Sequence, residues 1–442
     1  MTTLPEILPE QTKTVAAIYA HYKRTGDAEP QRGYLGASII GHPCVRFLWF
    51  QFRNCVKRDF DGRMYRLFST GDHEETRFTA DLRAIGCEVH SGSPEGEQFA
   101  VEAFGGHFSG HLDGCALGIP DAPKTWHVLE MKTHNAKSFA RLKKEGVKVA
   151  KPEHYAQMMS YMHLTEMTRA LYLAVNKDDD SLIAERIHYN SEEAEALMAR
   201  AKRIITAQSP PERISETSDY YQCRWCDAQD ICWGLSGPNG ALPVPSLSCR
   251  QCCHATPMLD GVGGAWRCDK HHRGLGPADQ SKPCDDHLTL PGLLAFADPV
   301  DYGKDDEGND FIQFQNRDGT KWPHGRREGC YNSRELMTLS PDLLVDKFVA
   351  GAKELFAGKA VGVQTDILNQ HPGCTSVTRW TGLTGRLVDA WKELYAEDLL
   401  SLPPVVRCNV FDHSAAEYSG ARFAIVWTHP IKKAEIREEV PF

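Results

Sequence analysis

Apolar and polar residues change rhythm several times along this chain, and each change predicts an element. Over residues 11–25 the apolar positions Val15, Ile18, Tyr19 and Tyr22 recur at helical spacing and stop at Gly26, which predicts an opening helix. Pro43 to Phe52 reads as a second, aromatic-rich helix. Residues 63–85 read as a longer third, with Leu67, Phe78 and Leu82 on one stripe and Gly86 as the stop. The period then falls to two, in short β-like runs at 87–90, 98–104, 107–119 and 125–132 separated by Gly and Pro turns. Helical spacing returns after Pro152 and places Gln157 and Tyr161 one turn apart on one face. Arg169 to Asn176 and Leu182 to Tyr189 predict two strands around the acidic turn Asp178-Asp179-Asp180, and 191–206 predicts a further helix. This order predicts an α/β fold class, a central mixed sheet flanked by helices.

Beyond it the texture changes. Ser236 to Ser248 carries Gly237, Pro238, Gly240, Pro243 and Pro245 and is the expected linker. A cysteine-rich segment at 249–287 follows, and then about 150 residues of ordinary globular composition, with helix-like stretches at 341–357 and 384–400 and a strand-like run at 422–428. Three domains are expected: a core over 1–238, a small metal-binding module over 239–289, and an α+β C-terminal domain over 290–442 that carries no motif tied to chemistry.

Composition narrows the setting. Of the 442 residues 25% are charged and 41% hydrophobic, the balance of a soluble globular protein. No apolar run approaches the roughly 20 residues of a membrane span. Met1 to Glu10 is acidic and proline-bearing, unlike a secretory leader, so a cytoplasmic protein with no membrane partner is expected. A net charge of −9 excludes a uniformly basic coat but not a local groove. The run 137–151 has Lys137, Arg141, Lys143, Lys144, Lys148 and Lys151 opposed only by Glu145.

The candidate chemistry lies in two short stretches, Gly110-His111-Leu112-Asp113-Gly114 and Glu130-Met131-Lys132. The second is the only acidic-x-Lys tripeptide in the chain. Alternate residues of a strand share a face, so the Glu130 carboxylate and the Lys132 ammonium project together. Carboxylate oxygens at Asp113 and Glu130 suit magnesium or manganese, with the Met131 carbonyl as a further ligand. Such an ion supplies positive charge and an activated water, which is what attack on a phosphodiester requires. Lys132 would orient that water, assist its deprotonation, or neutralise charge on the phosphate.

These residues resemble the PD-(D/E)xK nuclease superfamily, especially its RecB-like iron–sulfur exonucleases, over roughly 35–235. Asp113, Glu130 and Lys132 match the catalytic motifs, Gln157 and Tyr161 match a Q-x3-Y motif, and Gly71-Asp72-His73-Glu74-Glu75 resembles the upstream helical motif. The resemblance implies a restriction-endonuclease-like core. It assigns Glu75 as a further metal ligand, with His73 and Glu74 as competitors, and puts Gln157, Tyr161 and the basic run along a DNA path.

Cysteine supplies the remaining expectations. Eight of fifteen cysteines fall between Cys223 and Cys284, a clustering that suits metal ligation better than a disulfide framework. Cys223, Cys226 and Cys232 need one more ligand to close a four-coordinate site, and Cys44 is the best fourth. One cysteine before the core and three after it resemble the [4Fe-4S] staple of CRISPR-associated and helicase–nuclease exonuclease domains, with zinc as the alternative metal. Cys249, Cys252, Cys268 and Cys284 read as a zinc ribbon around Gly261 to Gly264, although His271 competes with Cys284 for the last position.

Together the resemblance implies a metal-dependent exonuclease acting on DNA ends in recombination, repair or phage DNA metabolism. DNA is the expected partner, together with a single-strand annealing or recombination protein. A structure-specific endonuclease on the same site and a catalytically inactive DNA-binding scaffold are the alternatives.

Overall fold

In the computed structural model, residues 12–341 are described apart from 94–95 and 235–239, and beyond them 343–345, 349–350, 353 and four strands. The chain forms two compact units, one of Met1–Thr217 with Ala255–Gln280 and the other of Ser218–His254 with Ser281–Phe442. The segment 239–289 is therefore shared between them.

In the first unit the helices are Lys13–Asp27 (α1), Val45–Phe52 (α2), Gly62–Ala84 (α3), Ala136–Ala150 (α4), Pro152–Thr165 (α5) and Ser191–Thr206 (α6). The strands are Leu35–Gly36 (β1), Glu88–His90 (β2), Ala100–Ala103 (β3), Phe108–His111 (β4), Gly114–Leu117 (β5), His127–His134 (β6), Arg169–Asn176 (β7) and Leu182–His188 (β8). Polar caps start the long helices where the residue pattern predicts: Thr12, Asp61, Asn135 and Asn190 each accept a backbone N–H of the first turn. The α4 helix is kinked at Gly146, whose φ of 72° lies outside the helical range.

The main sheet runs β2-β5-β6-β7-β8, with β6 and β7 parallel and the other pairs antiparallel. This is the mixed sheet flanked by helices of a restriction-endonuclease-like core. Its two faces differ in chemistry. Leu129, Met131, Leu171, Leu173 and Val175 point to one side and pack with Phe78 and Leu82 of α3, whereas Glu130, Lys132, His134 and Tyr172 occupy the other. A second sheet, β1-β4-β3, lies in the same unit. The predicted run at 107–119 is thus two strands in two sheets, and Leu112-Asp113 is the crossing between them.

Residues 255–280 add a ribbon of Ala255–Pro257 (β9), Trp266–Cys268 (β10) and Arg273–Leu275 (β11) to this first unit. Trp266, fully buried, stacks on Phe52 at 5.5 Å, and the buried Arg53 guanidinium lies 4.9 Å from the Trp266 ring and 5.3 Å from that of Trp49. Gly264 N donates to Gly105 O at 2.9 Å, and the His107 ring lies 3.0 Å from Ala265 O, so the ribbon holds the turn that opens β4.

In the second unit Ala297–Lys304 (β12), Asp310–Asn316 (β13) and Lys321–Gly325 (β14) form an antiparallel sheet whose Phe314 and Trp322 stack at 4.7 Å. Lys359–Val363 (β15), Ser376–Thr381 (β16), Cys408–Asp412 (β17) and Phe423–Trp427 (β18) form another, in the order β15-β16-β18-β17. The strand-like run at 422–428 corresponds to β18. The stretch 384–400 lies outside the described residues, and of 341–357 residues 343–345 form a 3-10 turn. The expected linker is packed rather than extended from residue 240 on: Ala241 and Leu242 donate to Leu339 O and Leu336 O, and Leu242 and Val244 are buried. Its alternating apolar side chains, hidden among prolines, account for the difference. Among the described residues no helix is long and apolar enough to cross a membrane.

Candidate active site

Asp113 stands where the chain leaves one sheet for the other. The β5–β6 ladder ends at the Gly114–Leu129 pair, and the next backbone donor of β6, Met131 N, is taken up by Asp113 Oδ2 at 2.8 Å. Two glycines make this crossing possible. A Cβ on Gly110 would lie 2.5 Å from the Tyr161 ring, and Gly114 has φ of +151° with the backbone of His90 against it. The G-x2-D-G spacing thus has a steric origin independent of any ligand.

Lys132 Nζ lies 2.7 Å from Glu130 Oε1, 3.3 Å from Asp113 Oδ2 and 2.9 Å from Met131 O. The expected triad therefore converges. Side-chain exposure falls from 26% at Lys132 to 9% at Asp113 and 0% at Glu130, so the cluster opens on the lysine side. Burial pushes the Glu130 carboxyl up to about 7, even with the neighbouring Lys132 pulling it down. Burial also works against the Lys132 ammonium, but Glu130 and Asp113 outweigh it and hold this group above the ordinary lysine range.

Of the three acidic or histidine candidates on α3, Glu75 is the one that senses the cluster. Burial first and the Asp113 charge second raise its carboxyl to about 7. His73 is exposed and turns its ring to Ser69 O at 2.6 Å, and Glu74 pairs with Arg77 at 3.7 Å. Arg77 also makes a two-pronged contact with Asp180, at 2.8 and 2.7 Å, that ties α3 to the β7–β8 turn.

Gln157 and Tyr161 are buried. Gln157 Nε2 donates to Tyr161 OH at 3.0 Å, and Tyr161 OH donates to His111 O at 2.8 Å, two residues before Asp113. Both are turned toward the protein's own frame. Lys137, Lys143 and Lys144 on α4 are exposed and have no ion-pair partner among the described residues, whereas Arg141 pairs with Glu145 and Lys148 with Glu193.

A divalent cation fits the carboxylate cluster. Glu130 Oε2 is buried without a hydrogen-bond partner, and the contacts of Asp113 fall on Oδ2, so two hard oxygens with spare lone pairs remain.

Among the described residues no cysteine is placed in a disulfide. Cys44 caps α2, its Sγ accepting from Phe47 N at 3.4 Å. In the second unit Cys223 is buried and Cys226 and Cys232 are half-buried within one short turn-and-helix segment. Cys252 Sγ accepts from His254 N at 3.5 Å and Leu288 N at 3.4 Å, a cradle of backbone donors suited to a metal-bound thiolate, while burial raises its thiol well above the usual range. Cys249 is half-buried and Cys284 exposed, both in the second unit, and Cys268 lies on β10 of the first.

One group of site residues carries no sequence signal that reveals it. His134, Tyr172 and His154 join behind Lys132, with Tyr172 OH 2.9 Å from His134 Nε2 and 2.8 Å from His154 Nδ1.

The chain is similar to an alkaline exonuclease from Laribacter hongkongensis, at 15% identity and a TM-score of 0.30 over 42% of this chain and 90% of that one. The same enzyme in complex with dAMP matches at 16% identity and a TM-score of 0.30, over 43% and 90%. A phage related exonuclease from Haemophilus somnus 129PT matches at 15% identity and a TM-score of 0.23, over 31% and 68%. No curated protein matches the chain. The family model of the PD-(D/E)XK nuclease superfamily matches residues 49–233, the stretch that holds Glu75, Asp113, Glu130, Lys132, Gln157 and Tyr161. It is this stretch, less than half of the chain, that is similar to the PD-(D/E)XK nuclease superfamily.

Proposed function

We infer that this nuclease is a metal-dependent DNA exonuclease that hydrolyses phosphodiester bonds from DNA ends. The observation that carries the reading is the convergence of Lys132 Nζ on Glu130 and Asp113 within 3.3 Å, beside a buried carboxylate oxygen that nothing in the protein satisfies. Asp113 and Glu130, with Glu75 at the edge, would hold magnesium or manganese, which supplies a polarised water and stabilises charge on the phosphate. Lys132, the most exposed of the three central groups, would meet the phosphate and the attacking water. The free lysines of α4 would draw the DNA backbone toward it.

Cys44, Cys223, Cys226 and Cys232 are proposed to hold a [4Fe-4S] cluster, and Cys249, Cys252, Cys268 and Cys284 a zinc ion. The core is assigned to 1–238 and the zinc module to 239–289, with an accessory role for 290–442. A single-strand annealing or recombination protein is the proposed protein partner, and the cytoplasm the proposed location.

The test is a time course with Mn²⁺ or Mg²⁺ on end-labelled linear DNA and on closed circular DNA, with iron and zinc counted in the same preparation. Linear DNA is degraded and the circle survives. Asp113→Ala and Lys132→Ala each lower the rate by on the order of 10³. A nicked circle would establish an endonuclease instead. Degradation unchanged in both variants would remove these residues from the chemistry, and zinc without iron would remove the cluster.

A further inference from the structure

The hydrogen-bonded chain behind Lys132 has a consequence for the metal cradle. On β6 the residues Glu130, Lys132 and His134 alternate onto one face, and the parallel register sets Tyr172 of β7 directly beside Glu130. On α5, His154, Gln157 and Tyr161 follow one another at three- and four-residue spacing and share one face. The helix thus makes polar contacts at two points. Through Tyr161 it grips His111 O, at the end of the strand that delivers Asp113. Through His154 it reaches Tyr172 OH at 2.8 Å, and that hydroxyl also contacts His134 Nε2 at 2.9 Å, while Ser138 Oγ closes the far end at 3.1 Å from His134 Nδ1.

We propose that His154, Tyr172 and His134 are positioning residues for the divalent ion. They set where α5 sits on β6 and β7, and so the separation of Asp113, held from one end of the helix, from Glu130, which lies beside Tyr172. The inference rests on the nuclease reading above, since it takes those two carboxylates as the cradle.

The protonation of the two rings fits this string. Burial, followed by the charges of nearby lysines including Lys132 and Lys151, lowers His134 to about 4 and His154 to about 3, so both rings are neutral at neutral pH. A neutral imidazole donates through one nitrogen and accepts through the other. Tyr172 OH therefore accepts from one ring and donates to the other, and the string Ser138–His134–Tyr172–His154 runs in whichever direction the two ring tautomers set. Tyr172 is fully buried and His134 nearly so, so water does not replace a lost member without rearrangement.

A cradle of fixed width matters most to magnesium, which demands near-ideal octahedral geometry, and less to the larger, more accommodating manganese. Tyr172→Phe keeps the ring and removes the hydroxyl. His154→Ala removes one anchor, and His154→Gln keeps a side chain able to donate and accept. The measurements are calorimetric Mg²⁺ and Mn²⁺ affinities of the intact protein, rates on linear DNA with each metal, and melting temperature.

Tyr172→Phe and His154→Ala should weaken Mg²⁺ binding about tenfold and Mn²⁺ binding no more than about threefold, with the same ordering in rate, and His154→Gln should recover most of the loss. Equal losses for both metals, or no loss, in folded variants would overturn the proposal and leave the three residues as core packing. If Tyr172→Phe does not fold, the pair at the half-buried position 154 decides alone. A wild-type chain that binds metal yet leaves DNA intact would defeat the nuclease reading, while the affinity ratio would still judge the positioning claim.

Discussion

Burial governs how Glu75 and Glu130 respond to pH. Both carboxyls are raised to about 7, chiefly by burial, so each keeps a proton where an ordinary carboxyl has lost it. A divalent ion takes the ionised form. Mn²⁺ affinity should therefore climb with pH up to about 7, roughly tenfold per unit for each proton displaced, and then level off. A calorimetric series across that range checks this, and a flat profile would contradict it. Stability of the metal-free protein runs the other way. A carboxyl raised on folding binds its proton more tightly folded than unfolded, so the stabilisation from these two groups is full below about 4.5 and is lost as pH rises through about 7. Glu130→Gln, uncharged at any pH, should raise the melting temperature of the metal-free protein at pH 8 more than at pH 5. Asp113, Glu130 and Lys132 were legible in the sequence because strand alternation and hard-oxygen chemistry leave a mark in neighbouring positions. His134, Tyr172 and His154 were not. Their meeting depends on the β6–β7 register and on the seating of α5, and each alone reads as an ordinary core residue.

Elements whose period comes from burying one face against one neighbour were read closely, as α3, α5, β7 and β8 show. The single run expected at 107–119 instead breaks at Asp113, because a period of two continues across a crossing between sheets and only the glycines at 110 and 114 betray it. The ribbon β9–β11 was equally hidden, since nothing local announces that Trp266 belongs beside Phe52. Removing that indole leaves the buried Arg53 facing a void where an aromatic face had been. Trp266→Ala should cost about 3–5 kcal/mol in denaturant unfolding. It should also lower nuclease activity, because the ribbon holds the turn that leads into β4 and Asp113. Unfolding at wild-type denaturant concentrations would show that the ribbon is not a brace.

For the whole molecule, a net charge of −9 makes the approach of DNA depend on where exposed cations are gathered. Replacing Lys137, Lys143 and Lys144 together by Gln should reduce the slope of log binding constant against log salt by about 2 to 3, with the rate at saturating DNA unchanged. An unaltered slope would take α4 off the path. The composition of the first unit has a further consequence, for biosynthesis. Residues 1–217 leave the ribosome well before 255–280, and at about 5–20 residues per second the interval is about 3–13 s. Throughout that delay the nascent chain lacks the ribbon that braces β4. The first unit thus stays incomplete until translation has passed residue 280, well after Lys132 has been made.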